Sequence, residues 1–180
     1  MKRTPAVAAS IAIAFAIGLA AWASPILPPK RVISDLTISV ANVRQVFLDI
    51  KDLPEAMTDL GFKREKIFEK WSEQLERSGL GLVQERELAP TLVLVPTIIT
   101  DSDAPGYNSF LLYLAVQQPV DVPSIESTLR LPTYSDFVIG LESDDTLQEA
   151  IDIGLRQLIG KFTLQRRLAH VYWKKYLKDK

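Results

Sequence analysis

The chain has 180 residues, 47% of them hydrophobic and 24% charged, proportions that exclude a collagen-like, low-complexity or wholly disordered protein. It contains no cysteine, which removes disulfides, thiolate metal sites and thiol nucleophiles together, and one histidine, His170, which removes most imidazole chemistry. Charge is sorted along the chain: residues 24–160 hold 12 Lys and Arg against 21 Asp and Glu, net −9, and residues 161–180 hold 7 against 1, net +6, so the acidic bulk argues against a nucleic-acid partner while leaving a basic end.

The first residues read as an export signal. Lys2 and Arg3 form a positive n-region, residues 6–23 are an unbroken run of apolar and small residues, and Ala21-Trp22-Ala23 has the small-x-small form that signal peptidase accepts. A signal peptide over residues 1–23 is therefore expected, cleaved between Ala23 and Ser24. Cutting one residue later would put Trp22 at the −3 position and Pro25 directly after the cut. The alternative is a retained amino-terminal membrane anchor, for which 18 residues lie at the short edge of what spans about 30 Å of hydrocarbon. With no cysteine near the site there is nothing to acylate, which excludes a lipid-anchored lipoprotein. Residues 24–34 carry three prolines and should form an extended leader to a single domain over residues 35–180.

Leu36, Ile38 and Val40 alternate with Thr37, Ser39 and Ala41, and the parity resumes at Val46, Leu48 and Ile50. This predicts a half-buried strand or a bent strand pair, with Asn42 and Arg44 at a bulge or turn. Asp52-Leu53-Pro54 ends it. Ile67, Phe68, Trp71 and Leu75 then recur at helical spacing, and Gly79-Leu80-Gly81 supplies a left-handed stop with an apolar residue after it. Leu82-Val83 leads towards the segment Thr91–Thr100, which reads as a central strand buried on both faces. Pro96 counts against that, because proline cannot donate to a ladder and belongs at an edge or a bulge.

The turn formers between Asp101 and Asn108 predict a long hairpin loop before the alternation Phe110, Leu112, Leu114 and Val116. A connection marked by Pro119 and Pro123 precedes a last strand over residues 133–142, with Phe137, Ile139 and Leu141 on one face and Tyr134, Asp136 and Val138 on the other. Asp144, Asp145 and Thr146, with Glu149 three residues after Thr146, form an N-cap and capping box for a long helix whose core stripe is Leu147, Ile151, Leu155, Leu158, Phe162, Ala169 and Tyr176. The order β-α-β-β-β-α predicts an α+β fold of two layers, a mostly antiparallel sheet with two helices packed on one face.

Catalytic signatures are missing from this order. There is no Gly-x-Ser-x-Gly elbow, His-Glu-x-x-His, Walker A loop or Gly-x-Gly-x-x-Gly. Asp101-x-Asp103-x-x-Gly106 has the outline of a calcium loop, but its fifth position is Pro105 and its twelfth is Leu112, so no metal site and no cofactor are expected. The carboxylate pairs Asp144/Asp145 and Glu85/Glu87 are explained by helix capping and by a solvated turn. The sharper signal is the last helix, where Arg166, His170, Lys174 and Lys178 recur every four residues as a basic face, beside Arg167, Lys175 and Lys180 and interleaved with Tyr172, Trp173 and Tyr176. Such a face could meet an acidic protein or an anionic membrane surface. Its cations also complement the helix dipole, and its aromatics continue the core stripe.

From Leu36 to Trp173 the chain resembles a group of small secreted bacterial domains. The features that carry this are the first strand, the helix introduced by Gly61-Phe62-Lys63-Arg64-Glu65 and closed by Leu75-Glu76-Arg77-Ser78-Gly79, the LVLVP strand, the hairpin, and Leu158-Ile159-Gly160-Lys161-Phe162 in the last helix. The element order is also similar to the amino-terminal domain of the periplasmic TolB family, a component of envelope complexes. The resemblance implies an α+β fold in the cell envelope, and the export signal together with the lack of a catalytic constellation leads to the expectation of an exported, non-enzymatic adaptor or accessory protein of the bacterial cell envelope. A carboxylate-based hydrolase or a small-ligand or lipid-binding protein is the alternative.

Overall fold

A computed structural model describes residues 33–100 and 102–176, so the expected signal peptide and most of the leader lie outside the described residues. In chain order the elements are α1 (Asp35–Ile38), β1 (Gln45–Ile50), α2 (Glu55–Asp59), α3 (Arg64–Arg77), β2 (Gly81–Leu82), β3 (Thr91–Thr100), β4 (Tyr107–Val122), β5 (Ser127–Ser143) and α4 (Asp144–Tyr176). Short 3-10 turns stand at Arg86–Leu88 and Pro123–Ile125. The strands form one sheet in the order β2-β1-β3-β4-β5, with β1 parallel to both of its neighbours and the other two pairs antiparallel. The fold is α+β, a mixed and mostly antiparallel sheet under helices.

Both long helices cover the same face. Leu48 and Ile50 of β1, Leu92 and Leu94 of β3, Leu112, Leu114 and Val116 of β4 and Tyr134 of β5 share one continuous core with Trp71 and Leu75 of α3 and Ile151, Leu158 and Phe162 of α4. The expected stripe of α4 is buried at Leu147, Ile151, Leu155, Leu158, Phe162 and Ala169, and the side chain of Tyr176 lies outside the described residues. Helix α4 comes close enough to the sheet that a Cβ at Gly154 would lie 2.8 Å from Leu112 Cδ1. A larger residue there would force the Leu112 side chain to shift.

Helix α3 ends as its sequence predicts. Gly79 takes φ +77°, the Leu80 N–H donates to Leu75 O (3.0 Å) and the Gly79 N–H to Glu76 O (2.9 Å), the paired bonds of a Schellman stop, with Leu80 buried against the core. Of the expected stripe, Ile67, Trp71 and Leu75 are buried, whereas Phe68 is 45% exposed. Residue 68 sits one position past Ile67, which swings it off the inward stripe towards the edge at β2.

Pro96 stands in the middle of the sheet without breaking it. The N–H groups of Phe47 and Lys51 donate to Pro90 O and Leu94 O, so even-numbered residues of β3 turn their backbone groups towards β1. Pairing with β1 stops at Ile50 opposite Leu94. Pro96 therefore points its missing donor at the side where β1 has already ended, and its half of β3 is an edge, as proline requires.

Four boundaries differ from the sequence reading. Residues 35–38 form a helical turn, not a strand: Ser34 caps it, its Oγ accepting from the Thr37 N–H at 3.3 Å, and the strand begins only at Gln45. A local cap outweighs alternation over so few residues. Pro119 lies inside β4 opposite Arg130, in a two-stranded ribbon past the start of β3 at Thr91, where β4 has an open side. Strand β5 accordingly begins at Ser127 and carries an irregularity opposite Val116/Gln117, where Thr133 Oγ1 donates to Val116 O (3.3 Å) and Gln118 Nε2 donates to Thr133 Oγ1 (2.6 Å). Finally, α4 starts at Asp144 directly from β5, so Thr146 is inside its first turn and is not the N-cap. Its hydroxyl donates to Glu142 Oε2 at 2.9 Å.

Candidate interaction site

The face of the sheet turned away from the helices is built by the odd-numbered residues of β3, β4 and upper β5. The register sets them in rows: Val95, Tyr113 and Phe137; Thr97, Leu111 and Ile139; Ile99, Ser109 and Leu141. Phe137, Ile139 and Leu141 are 60%, 69% and 67% exposed, and Ile99 and Tyr107 63% and 54%. Scattered apolar side chains on a surface are ordinary, but here Leu111, Tyr113, Phe137, Ile139 and Leu141 lie side by side, with Ser109 set among them and Ser135 and Ser143 at the ends of the β5 stretch. The signal in the sequence was the apolar character of β4 at both parities from Phe110 to Val116, which a sheet with one covered face does not need, together with Phe137, Ile139 and Leu141 on one parity of β5.

The basic helix face is divided by the structure. Arg166 Nη1 donates to Val43 O (3.3 Å) and Nη2 to Ser78 O (2.7 Å), so one guanidinium ties α4 to the segment before β1 and to the end of α3. Burial pushes its pKa below the ordinary guanidinium value, and its Nε is buried without a partner. His170 Nδ1 lies 3.0 Å from Ala41 O, a contact that places the ring proton on Nδ1. Lys174 is exposed, and Lys178 lies outside the described residues. Half of the four-residue ridge is thus engaged with backbone carbonyls distant in sequence, and no sequence signal marks such partners because any residue offers a carbonyl.

Other expected features have structural occupations. Asp144 accepts from Asn108 Nδ2 (2.6 Å), Asn108 Oδ1 accepts from Thr100 Oγ1 (2.7 Å), and the Asp144 N–H donates to Gly106 O (3.1 Å). This relay, centred on the buried Asn108, fastens the β3–β4 loop to the start of α4. Asp145, Glu85 and Glu87 are exposed. Among the described residues no group of three His, Cys, Asp or Glu could hold a metal ion, and no helix is long and apolar enough to cross a membrane.

Solved structures of bacterial lipoproteins are matched at low identity. A minor lipoprotein from Acinetobacter baumannii is 12% identical over 71% of this chain and 91% of its own, with a TM-score of 0.32. The rare lipoprotein B from Shewanella oneidensis is 14% identical over 73% and 92%, with a TM-score of 0.28. A neuraminyllactose-binding hemagglutinin homologue from Helicobacter pylori is 13% identical over 74% and 91%, with a TM-score of 0.35. No protein-family profile and no curated protein matches the sequence.

Proposed function

We propose that the protein is an exported, non-enzymatic adaptor or accessory subunit of the bacterial cell envelope, which docks the outer face of its sheet against an apolar surface of an envelope protein. The observation that carries this is the uncovered row Phe137, Ile139 and Leu141, continued across Leu111 and Tyr113. Export rests on the n-region, apolar run and Ala-x-Ala site ahead of Ser24. On this reading the exposed Lys174 and Lys175 in the last turn of α4 add charge steering.

A photo-crosslinking amino acid placed at Ile139 in the intact host should give one discrete adduct, and the same amino acid at exposed Glu149 on the opposite side should give none. Amino-terminal sequencing of the recovered protein should begin at Ser24. Equal labelling from the two positions, or labelling from neither, would refute the docking face.

A further inference from the structure

The body before residue 161 carries net −9, yet one cleft in it is lined by cations. Between α3 and the first half of α4 lies a cavity of about 260 Å³, close to the lower limit for small-molecule sites. Its floor is apolar, made by Phe62, Ile67, Trp71, Leu155 and Ile159. Along one wall Lys63, Lys66 and Lys70 stand at i, i+3 and i+7, one ridge of α3. Arg156 faces them from α4.

The charges do not cancel. Asp152 is the acid of the lining, and it is shared: Lys70 Nζ approaches its Oδ1 at 3.7 Å and Arg156 Nη2 its Oδ2 at 3.1 Å. Lys63 and Lys66 are exposed and stand outside these ion pairs. Four cations against one carboxylate leave the lining at net +3. Helix α3 also starts here, and no side chain caps its first N–H groups, which adds to the positive potential.

An apolar floor under a cationic rim selects for a molecule with the opposite arrangement. We infer that this cleft binds a small amphiphilic anion, a carboxylate or phosphate carrying one apolar chain, with the head group at Lys63 and Lys66 and the chain on Trp71 and Ile67. Charge-assisted bonds at the exposed rim would hold the head, and contact with the apolar floor would hold the chain. The site is separate from the outer sheet face, and its failure would leave that proposal standing.

Calorimetry on the full chain below micelle-forming concentrations tests it with octanoate, octyl phosphate, octyl glucoside and inorganic phosphate. One equivalent of either octyl anion should bind, more weakly as salt is raised, and the tighter of the two identifies the head group. Changing Lys63→Gln and Lys66→Gln together should weaken binding at least about tenfold, the expected loss for charged hydrogen-bond donors. Gln148→Trp, on the exposed wall, should fill the cleft and abolish binding without any change of charge. The two variants alter independent properties of the site, so either one suffices if the other fails to fold. Octyl glucoside binding as tightly as octyl phosphate, inorganic phosphate matching octyl phosphate, or full binding by either folded variant would overturn the inference.

Discussion

On the inner face of β4 and β5, Leu112, Leu114, Val116 and Tyr134 are sealed beneath α4, whereas on the other side of the same strands Phe137, Ile139 and Leu141 stand in the open. The two sets are alike in composition and are separated only by the pleat. Burial is decided by where the two helices land, and Gly154 lets α4 approach Leu112 and Val138 closely on that face. An apolar strand face without a helix above it is unfinished surface, and a surface of that kind is what a partner completes.

The contrast can be broken most severely from the inside. Trp71 is 3% exposed in the floor between α3 and α4, and Trp71→Ala should cost about 3 to 5 kcal/mol in denaturant unfolding, the usual penalty for a large core aromatic. A loss below about 1 kcal/mol would place the α3 stripe outside the core.

The next effect is a titration of the inner face. Burial first, and the Asp136 carboxylate second, raise the Tyr134 pKa from 10.0 to about 12. The folded state therefore resists ionisation that the unfolded chain accepts, so this contribution is intact below pH 10 and falls away as pH climbs towards 12. Wild type should lose up to about 3 kcal/mol relative to Tyr134→Phe across that window, and parallel stability curves for the two would show that the hydroxyl is not shielded. The ring itself packs on Phe162, with centroids 5.6 Å apart, so the phenylalanine variant keeps the packing.

The smallest effect belongs to the outer face. Ile139→Ser should change stability by less than about 1 kcal/mol, because the side chain has little burial to lose. The same substitution at Ile151, fully buried on the inward stripe of α4, should unfold a substantial fraction of the protein. Comparable losses at both positions would mean that the outer face is covered in the folded chain.

How much of this was legible in the sequence follows from the length of each pattern. Helices α3 and α4 and strands β3 and β4 repeat their periods often enough to be read, and Gly79 announced the end of α3. The segment at Leu36, Ile38 and Val40 shows only three repeats of a strand period, and one serine hydroxyl at Ser34 was enough to wind it into a turn. Among candidate site residues, the four-residue spacing of Arg166, His170 and Lys174 placed them along one side of α4, but not against the carbonyls of Val43, Ser78 and Ala41 that occupy the first two. Those contacts span 88 to 129 residues and leave no local trace.

Pro96 has a bearing on the life of the protein outside its folded interior. Beyond Leu94 the strand continues as Val95-Pro96-Thr97-Ile98-Ile99-Thr100 with one side unpaired, a stretch rich in β-branched residues and free of charge. Bare edges of that composition invite strand-by-strand addition of further chains, the first step towards amyloid. The proline interrupts the row of donors at the point where the edge opens. An incoming strand meets a gap in the first hydrogen bonds it would make, which guards the chain against self-assembly at high local concentration.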